Sequence, residues 1–111
     1  MDRIEHYRTL IKQVICDYAA QIPALEGIEQ QIIFLEENDY YALMQTGWYR
    51  DRRVYGNIIH CDIRDGKIRV QHDGTEDGIV DFFLENGVPA QDIVISRHPP
   101  QYRHLTEFAV S

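Results

Sequence analysis

Residues 58–73 read IIHCDIRDGKIRVQHD, two alternating runs that meet at Asp65-Gly66. No other stretch narrows the accessible folds so much. An Asp-Gly pair between alternating segments marks a two-residue type I′ turn, because both turn positions need positive φ. With that turn in place, Arg64 faces Lys67, Ile63 faces Ile68, Asp62 faces Arg69, Cys61 faces Val70, His60 faces Gln71 and Ile59 faces His72. Side chains alternate along a strand. One face then carries Ile59, Cys61, Ile63, Ile68, Val70 and His72, the expected core face. The other carries His60, Asp62, Arg64, Lys67, Arg69, Gln71 and Asp73, a charged face for solvent or a partner, with Asp62 and Arg69 paired across the strands.

This register argues against most of the chemistry the residues suggest. His60, Asp62 and His72 should not converge on a metal ion, since His72 is expected to point away from the other two. Cys61 and His60 are neighbours on opposite faces and form no nucleophile–base pair. Cys61 and His72 share the core face diagonally, where a buried thiol beside a hydrogen-bonded histidine is the expected arrangement. The following loop, HDGTEDG at 72–78, has the glycines of a phosphate cradle, but Asp73, Glu76 and Asp77 would repel an anion. Nor is it a calcium loop, for Thr75 and Leu84 stand where ligating carboxylates are required. Thr75 is expected to cap a helix whose first turn holds Glu76 and Asp77.

The flanks supply helices and further strands. Asp2 with Glu5 has the form of a capping box, and Ile4, Tyr7, Ile11, Val14 and Tyr18 recur at helical spacing beside Leu10 and Ile15. This predicts an amphipathic helix ending near Ile22, ahead of Pro23, with Cys16 on its polar side. Ile28 to Glu36 predicts a strand in which Ile32-Ile33-Phe34-Leu35 is apolar on both faces, as in a covered strand or one at an interface. Tyr40 to Trp48 follows as a second strand after a turn at 37–39. Ile79, Val80, Phe82, Phe83 and Leu84 form the short second helix, stopped by Gly87 with Val88 against Phe83. Asp92 to Ser96 is a short extended segment, and the tail from Tyr102 to Phe108-Ala109-Val110 should dock irregularly. The expected class is α+β: an antiparallel β-meander of about four strands, packed by an N-terminal helix and a shorter second helix, in one domain over residues 1–111.

Charge and composition restrict the partners. With 18 acids against 11 Lys and Arg, the net charge of -7 opposes long-range attraction to DNA or an anionic membrane. No apolar run approaches the ~20 residues of a membrane helix and the start lacks signal-peptide order, so a cytoplasmic protein is expected. The two cysteines, Cys16 and Cys61, are far apart and expected to be free thiols. Against this background GWYRDRRVY at 47–55 stands out, with Arg50, Arg52 and Arg53 set among Trp48, Tyr49 and Tyr55. Such a patch can contact nucleic acid. The plainer expectation is a polar hairpin loop whose arginines pair with surface acids. Arg97, His98, Arg103 and His104 form a second, weaker basic cluster.

Taken together, RRVYGNIIHCDIRDGKIRVQHDGTEDGIVDFFLENGVPAQDIVIS, then HPP, then the ending TEFAVS, resemble the XisI family of fdxN-element excision controlling factors, which is cyanobacterial. The DGKI turn, the DGTE entry, the GVP exit and the FAV ending are specific in combination, and the likeness spans essentially the whole chain. It implies an accessory role in developmental DNA excision beside a separate recombinase and a XisH-like partner that resembles a nuclease. It carries over no catalytic, cofactor or metal residues. The chain departs from the family at Cys61, where an aliphatic residue is usual, and at Arg69, where an aromatic one is.

Three functions remain in view. The first is a non-enzymatic factor that binds a XisH-like protein and forms a homo-oligomer, with Trp48, Arg50, Arg52, Arg53, Tyr55, His60, Asp62 and Arg69 as candidate contacts and any nucleic-acid role indirect. The second is direct DNA binding through Arg50, Arg52, Arg53, Arg97 and Arg103. The third is a small metal-dependent hydrolase using His60, Asp62 or His98.

Overall fold

A computed structural model describes residues 2–22 and 25–109, so Pro23 and Val110, which figured in the expectations above, lie outside the described residues. Helix α1 spans Arg3–Gln21, and Asp2 caps it by accepting the Ile4 N–H at 3.0 Å. Glu5 turns away from the cap and pairs with Arg8. Tyr7, Leu10, Ile11 and Ile15 form the buried stripe, while Cys16 is exposed, as the helical phase requires.

The strands are β1 (Ile28–Leu35), β2 (Tyr40–Tyr49), β3 (Arg52–Arg64), β4 (Lys67–Asp73) and β5 (Ile93–Ile95), in spatial order β1-β2-β3-β4-β5. The first four make the expected antiparallel meander. The fifth joins β4 in parallel after a crossover that contains α2 (Val80–Glu85). Both helices supply side chains to one core with Tyr41, Leu43, Ile59, Cys61, Ile68 and Ile93, on one side of the sheet. Among the described residues the other side carries no α-helix, only Arg103 reaching it from the 3-10 turn Pro100–Leu105.

The turn behaves as its sequence demands, with Asp65 and Gly66 at φ 55° and 78°. Pairing follows the expected register from Arg64↔Lys67 to Cys61↔Val70, then shifts, so that His60 faces His72 and Ile59 faces Asp73. Gln71 is the extra residue of a β-bulge. The slip moves His72 off the core face into an exposed position. It also turns Asp73 from the expected charged face toward the α2 side, where its carboxylate accepts from the Thr75 N–H, the Thr75 hydroxyl and the Ile79 N–H at 3.0, 2.6 and 2.8 Å. Cys61 therefore does not share a face with His72.

Thr75 does not cap α2. The helix begins only at Val80, because Gly78 at φ 77° interrupts the chain, and Thr75 Oγ1 accepts the Gly78 N–H inside the loop. Its exit matches expectation: Gly87 at φ 92° lets the Val88 N–H reach the Phe83 carbonyl at 3.0 Å, with both side chains buried.

Side-chain anchors tie the helix to the sheet corners. Arg8 clamps Asp39 with Nε–Oδ1 at 2.6 Å and Nη2–Oδ2 at 3.1 Å, and Tyr41 donates to the same carboxylate at 3.1 Å. The Arg8 guanidinium holds the Asp39 carboxyl below the usual carboxylate range. At the other corner Tyr7 donates to Asp92 at 2.5 Å. Burial, then that hydrogen bond, push the Tyr7 phenol up to about 12. The tail docks where the Ala109 N–H meets the Ile93 carbonyl at 2.8 Å.

Candidate partner-binding surface

Beyond the end of β1, strands β2 and β3 continue as a two-stranded tip that turns at Arg50-Asp51. Its base is fixed by backbone contact. The Trp48 N–H donates to the Gly27 carbonyl at 2.9 Å, and a Cβ at Gly47 would stand 1.9 Å from that same oxygen. Only glycine fits at Gly47.

Trp48 pairs with Arg53, and Thr46 with Tyr55, on successive rungs of one face. Arg53 lies between the two rings, its guanidinium carbon 5.7 Å from each centroid, and Nη1 donates to the Gly47 carbonyl at 3.1 Å. Arg50 sits 5.4 Å from the Tyr49 ring. Each such contact at an exposed site is worth about 0.5–1 kcal/mol. Among the described residues, rings and the Gly47 carbonyl rather than carboxylates hold these two arginines, in place of the acid pairing expected from sequence. Trp48 is 56% and Tyr55 69% exposed, far more than ordinary packing leaves for such large rings.

Further along the same helix-free side, Asp62 takes a bidentate bond from Arg69, with Nε–Oδ1 at 2.7 Å and Nη2–Oδ2 at 2.8 Å, and Gln71 adds a weak third contact at 3.4 Å. The expected ion pair is thus present. Beside it the His60 ring lies 4.4 Å from the Tyr40 ring, with Nε2 buried and unpartnered among the described residues. Burial pushes the His60 pKa below 6.5, with Arg69 and His72 adding to the effect and Asp62 opposing it. Neither Tyr40 nor the placement of His72 on this side was anticipated; both follow from pairings that sequence alternation alone does not reveal.

The bulge removes the register argument against a His60–Asp62–His72 cluster, since His60 and His72 now face one another. Asp62 is nevertheless occupied by Arg69, and among the described residues no three His, Cys, Asp or Glu side chains gather as a metal site. Burial raises the Cys61 thiol far above its ordinary value, leaving it a core side chain.

The two basic clusters do not merge. Arg103 donates Nε to the His98 carbonyl at 2.9 Å and Nη2 to the Ser96 carbonyl at 3.2 Å, fastening the tail to the end of β5. It lines a cleft with Arg64 and Arg69, at the opposite end of β3 from Arg52.

The family model for the XisI protein matches residues 1–110. The chain belongs to the XisI family. An XisI-like protein of Anabaena variabilis superposes with a TM-score of 0.92 at 32% identity, covering 99% of this chain and 100% of that one. The fdxN element excision controlling factor XisI of Anabaena variabilis does so with a TM-score of 0.88 at 35% identity, over 99% and 100%. Comparison with curated proteins finds no match. On this XisI scaffold the exposed rings of Trp48 and Tyr55 and the half-buried Asp62–Arg69 pair lie on the same side of the sheet.

Proposed function

We propose that this XisI-family chain is a non-enzymatic accessory factor in the control of DNA-element excision, acting by binding a XisH-like protein through the β2–β3 tip. The observation that carries this reading is the exposed Trp48–Arg53–Tyr55 stack. Trp, Tyr and Arg are the residues that dominate protein interfaces, and here they stand on a rigidly based projection with no core role. The helix-free side around Tyr40, His60 and the Asp62–Arg69 pair would form the flank of the contact. Co-purification with a XisH-like protein tests it. A complex is expected at micromolar concentration, and Trp48→Ala should weaken it by about 2 kcal/mol or more. No complex with the unaltered chain would sink the reading.

A second reading, direct DNA binding, is favoured by the same exposed rings, on which bases could stack beside Arg50, Arg52 and Arg53. The charge of -7 and the engagement of Arg103 with backbone carbonyls weigh against it. A gel shift at low salt decides: absence of retardation removes it.

A further inference from the structure

The sheet has two edges, and they are treated differently. β5 is only Ile93–Ile95, and the tail covers it by donating the Ala109 N–H to the Ile93 carbonyl. β1 is the full-length Ile28–Leu35, nothing follows it in the sheet among the described residues, and it contains no Pro, Lys or Arg. Natural edge strands are usually blunted by such residues, by a bulge or by a cover. β1 pairs with β2 without a register shift, and Ile32 and Leu35 are 46% and 50% exposed.

The direction of its backbone groups can be worked out. Trp48 N–H bonds to Gly27 O, so the odd-numbered residues of β1 address β2 through their own N–H and C=O. The Ile63 N–H bond to Asp39 O agrees, placing the odd-numbered residues of β2 toward β3. The even-numbered residues of β1 therefore aim their backbone groups at the free edge. Ile28 spends its N–H on the Leu25 carbonyl. Gln30, Ile32 and Phe34 remain, each with a donor and an acceptor directed outward.

We propose that a second copy of this chain pairs here, β1 antiparallel to β1, with the two-fold axis at Ile32. A symmetric ladder must oppose even-numbered residues to even-numbered ones, which leaves a short set of registers. Centring on Ile32 sets Gln30 against Phe34 and Ile32 against its own copy, so every outward donor of both strands is bonded. The apolar second half of each strand then lies beside the polar first half of the other, with Glu29 next to Leu35 and Gln31 next to Ile33. A shift one way brings Glu26 against Glu36 and calls on the engaged Ile28 N–H. A shift the other way opposes Glu29 to Glu37 and runs off the strand into the turn at Glu36–Asn38. Charge and donor count select the same register.

The result is a continuous ten-stranded sheet, twice the five strands of one chain, with both tips free. This goes beyond the partner reading and does not rest on it, since neither Trp48 nor the helix-free side is used.

Sedimentation at tens of micromolar tests the proposal, with a dimer mass expected. Ile32→Pro removes only an outward N–H and Ile32→Lys sets two charges together at the axis, so both should give folded monomers with unchanged circular dichroism. In a Cys16→Ser background, Gln31→Cys with Ile33→Cys should trap a covalent dimer, because that non-hydrogen-bonded pair is close enough for a disulfide. A monomer for the unaltered chain overturns the proposal, as does a dimer that survives both Ile32 substitutions, or a failure of the cysteine pair to crosslink the dimer. Loss of partner binding by Trp48→Ala without any change in mass would show that the two surfaces are separate.

Discussion

The two sides of the sheet are built from the same strands and behave oppositely. On the helix side, Ile11, Ile15, Tyr41, Leu43 and Ile59 are sealed between α1 and the strands. On the helix-free side, the large residues Trp48 and Tyr55 stay in solvent, and polar side chains order themselves against one another through the Asp62–Arg69 pair and the arginine–ring stacks. Stability is thus drawn from one set of side chains and the proposed recognition from another. A residue's side of the sheet should predict which property its loss removes.

The sharpest way to break that comparison is Ile11→Ala. Ile11 is fully buried, so the substitution should cost about 2–5 kcal/mol in chemical denaturation. Tyr55→Ala on the other side should cost no more than about 1 kcal/mol, the value of its stack with Arg53. Equal losses would mean that the helix-free side is structural. An intermediate effect is expected at Asp73, whose carboxylate organises the loop into α2: Asp73→Ala should cost about 1–3 kcal/mol, because the Ile79 and Thr75 donors lose their acceptor. Native-state hydrogen exchange would place the loosening at residues 75–79 if that account is right.

The smallest effect concerns pH. The folded pKa of His60 is depressed below 6.5, so the unfolded chain takes up the proton first as the pH falls. The stability associated with neutral His60 is complete above pH 6.5 and is lost as the pH drops from there through the folded pKa. Denaturation midpoints of His60→Gln should fall less steeply than those of the unaltered chain across that window. Identical slopes would show that His60 does not titrate in the folding transition.

Much of this architecture was legible because its signals are local. Asp65-Gly66 specifies its turn, the spacing of Tyr7, Ile11 and Ile15 specifies a helical face, and Gly87 before Val88 specifies a stop. What escaped depends on distant pairing. Gln71 carries no glycine or proline to mark a bulge, yet its insertion exchanged the sides of His72 and Asp73 and turned Asp73 into a structural anchor. Thr75 followed by acids looked like a cap, but the left-handed backbone at Gly78 delays the helix. The apolar run in β1 suggested a strand covered or at an interface, and only the strand order shows that it lies at an edge. At the tip, composition showed arginines and rings side by side, whereas their stacking required knowing that Trp48 and Arg53 share a rung.

The contact between Gly27 and Gly47 has a consequence for affinity. Because backbone meets backbone at the root of the tip and Arg53 is already braced between two rings, these groups would surrender little freedom on meeting the proposed partner. Immobilising a flexible side chain on binding otherwise costs about 0.5–1.5 kcal/mol. A tip mounted in this way can exchange its outward side chains without disturbing its mount, so the chemistry it presents is free to change while the fold stays fixed.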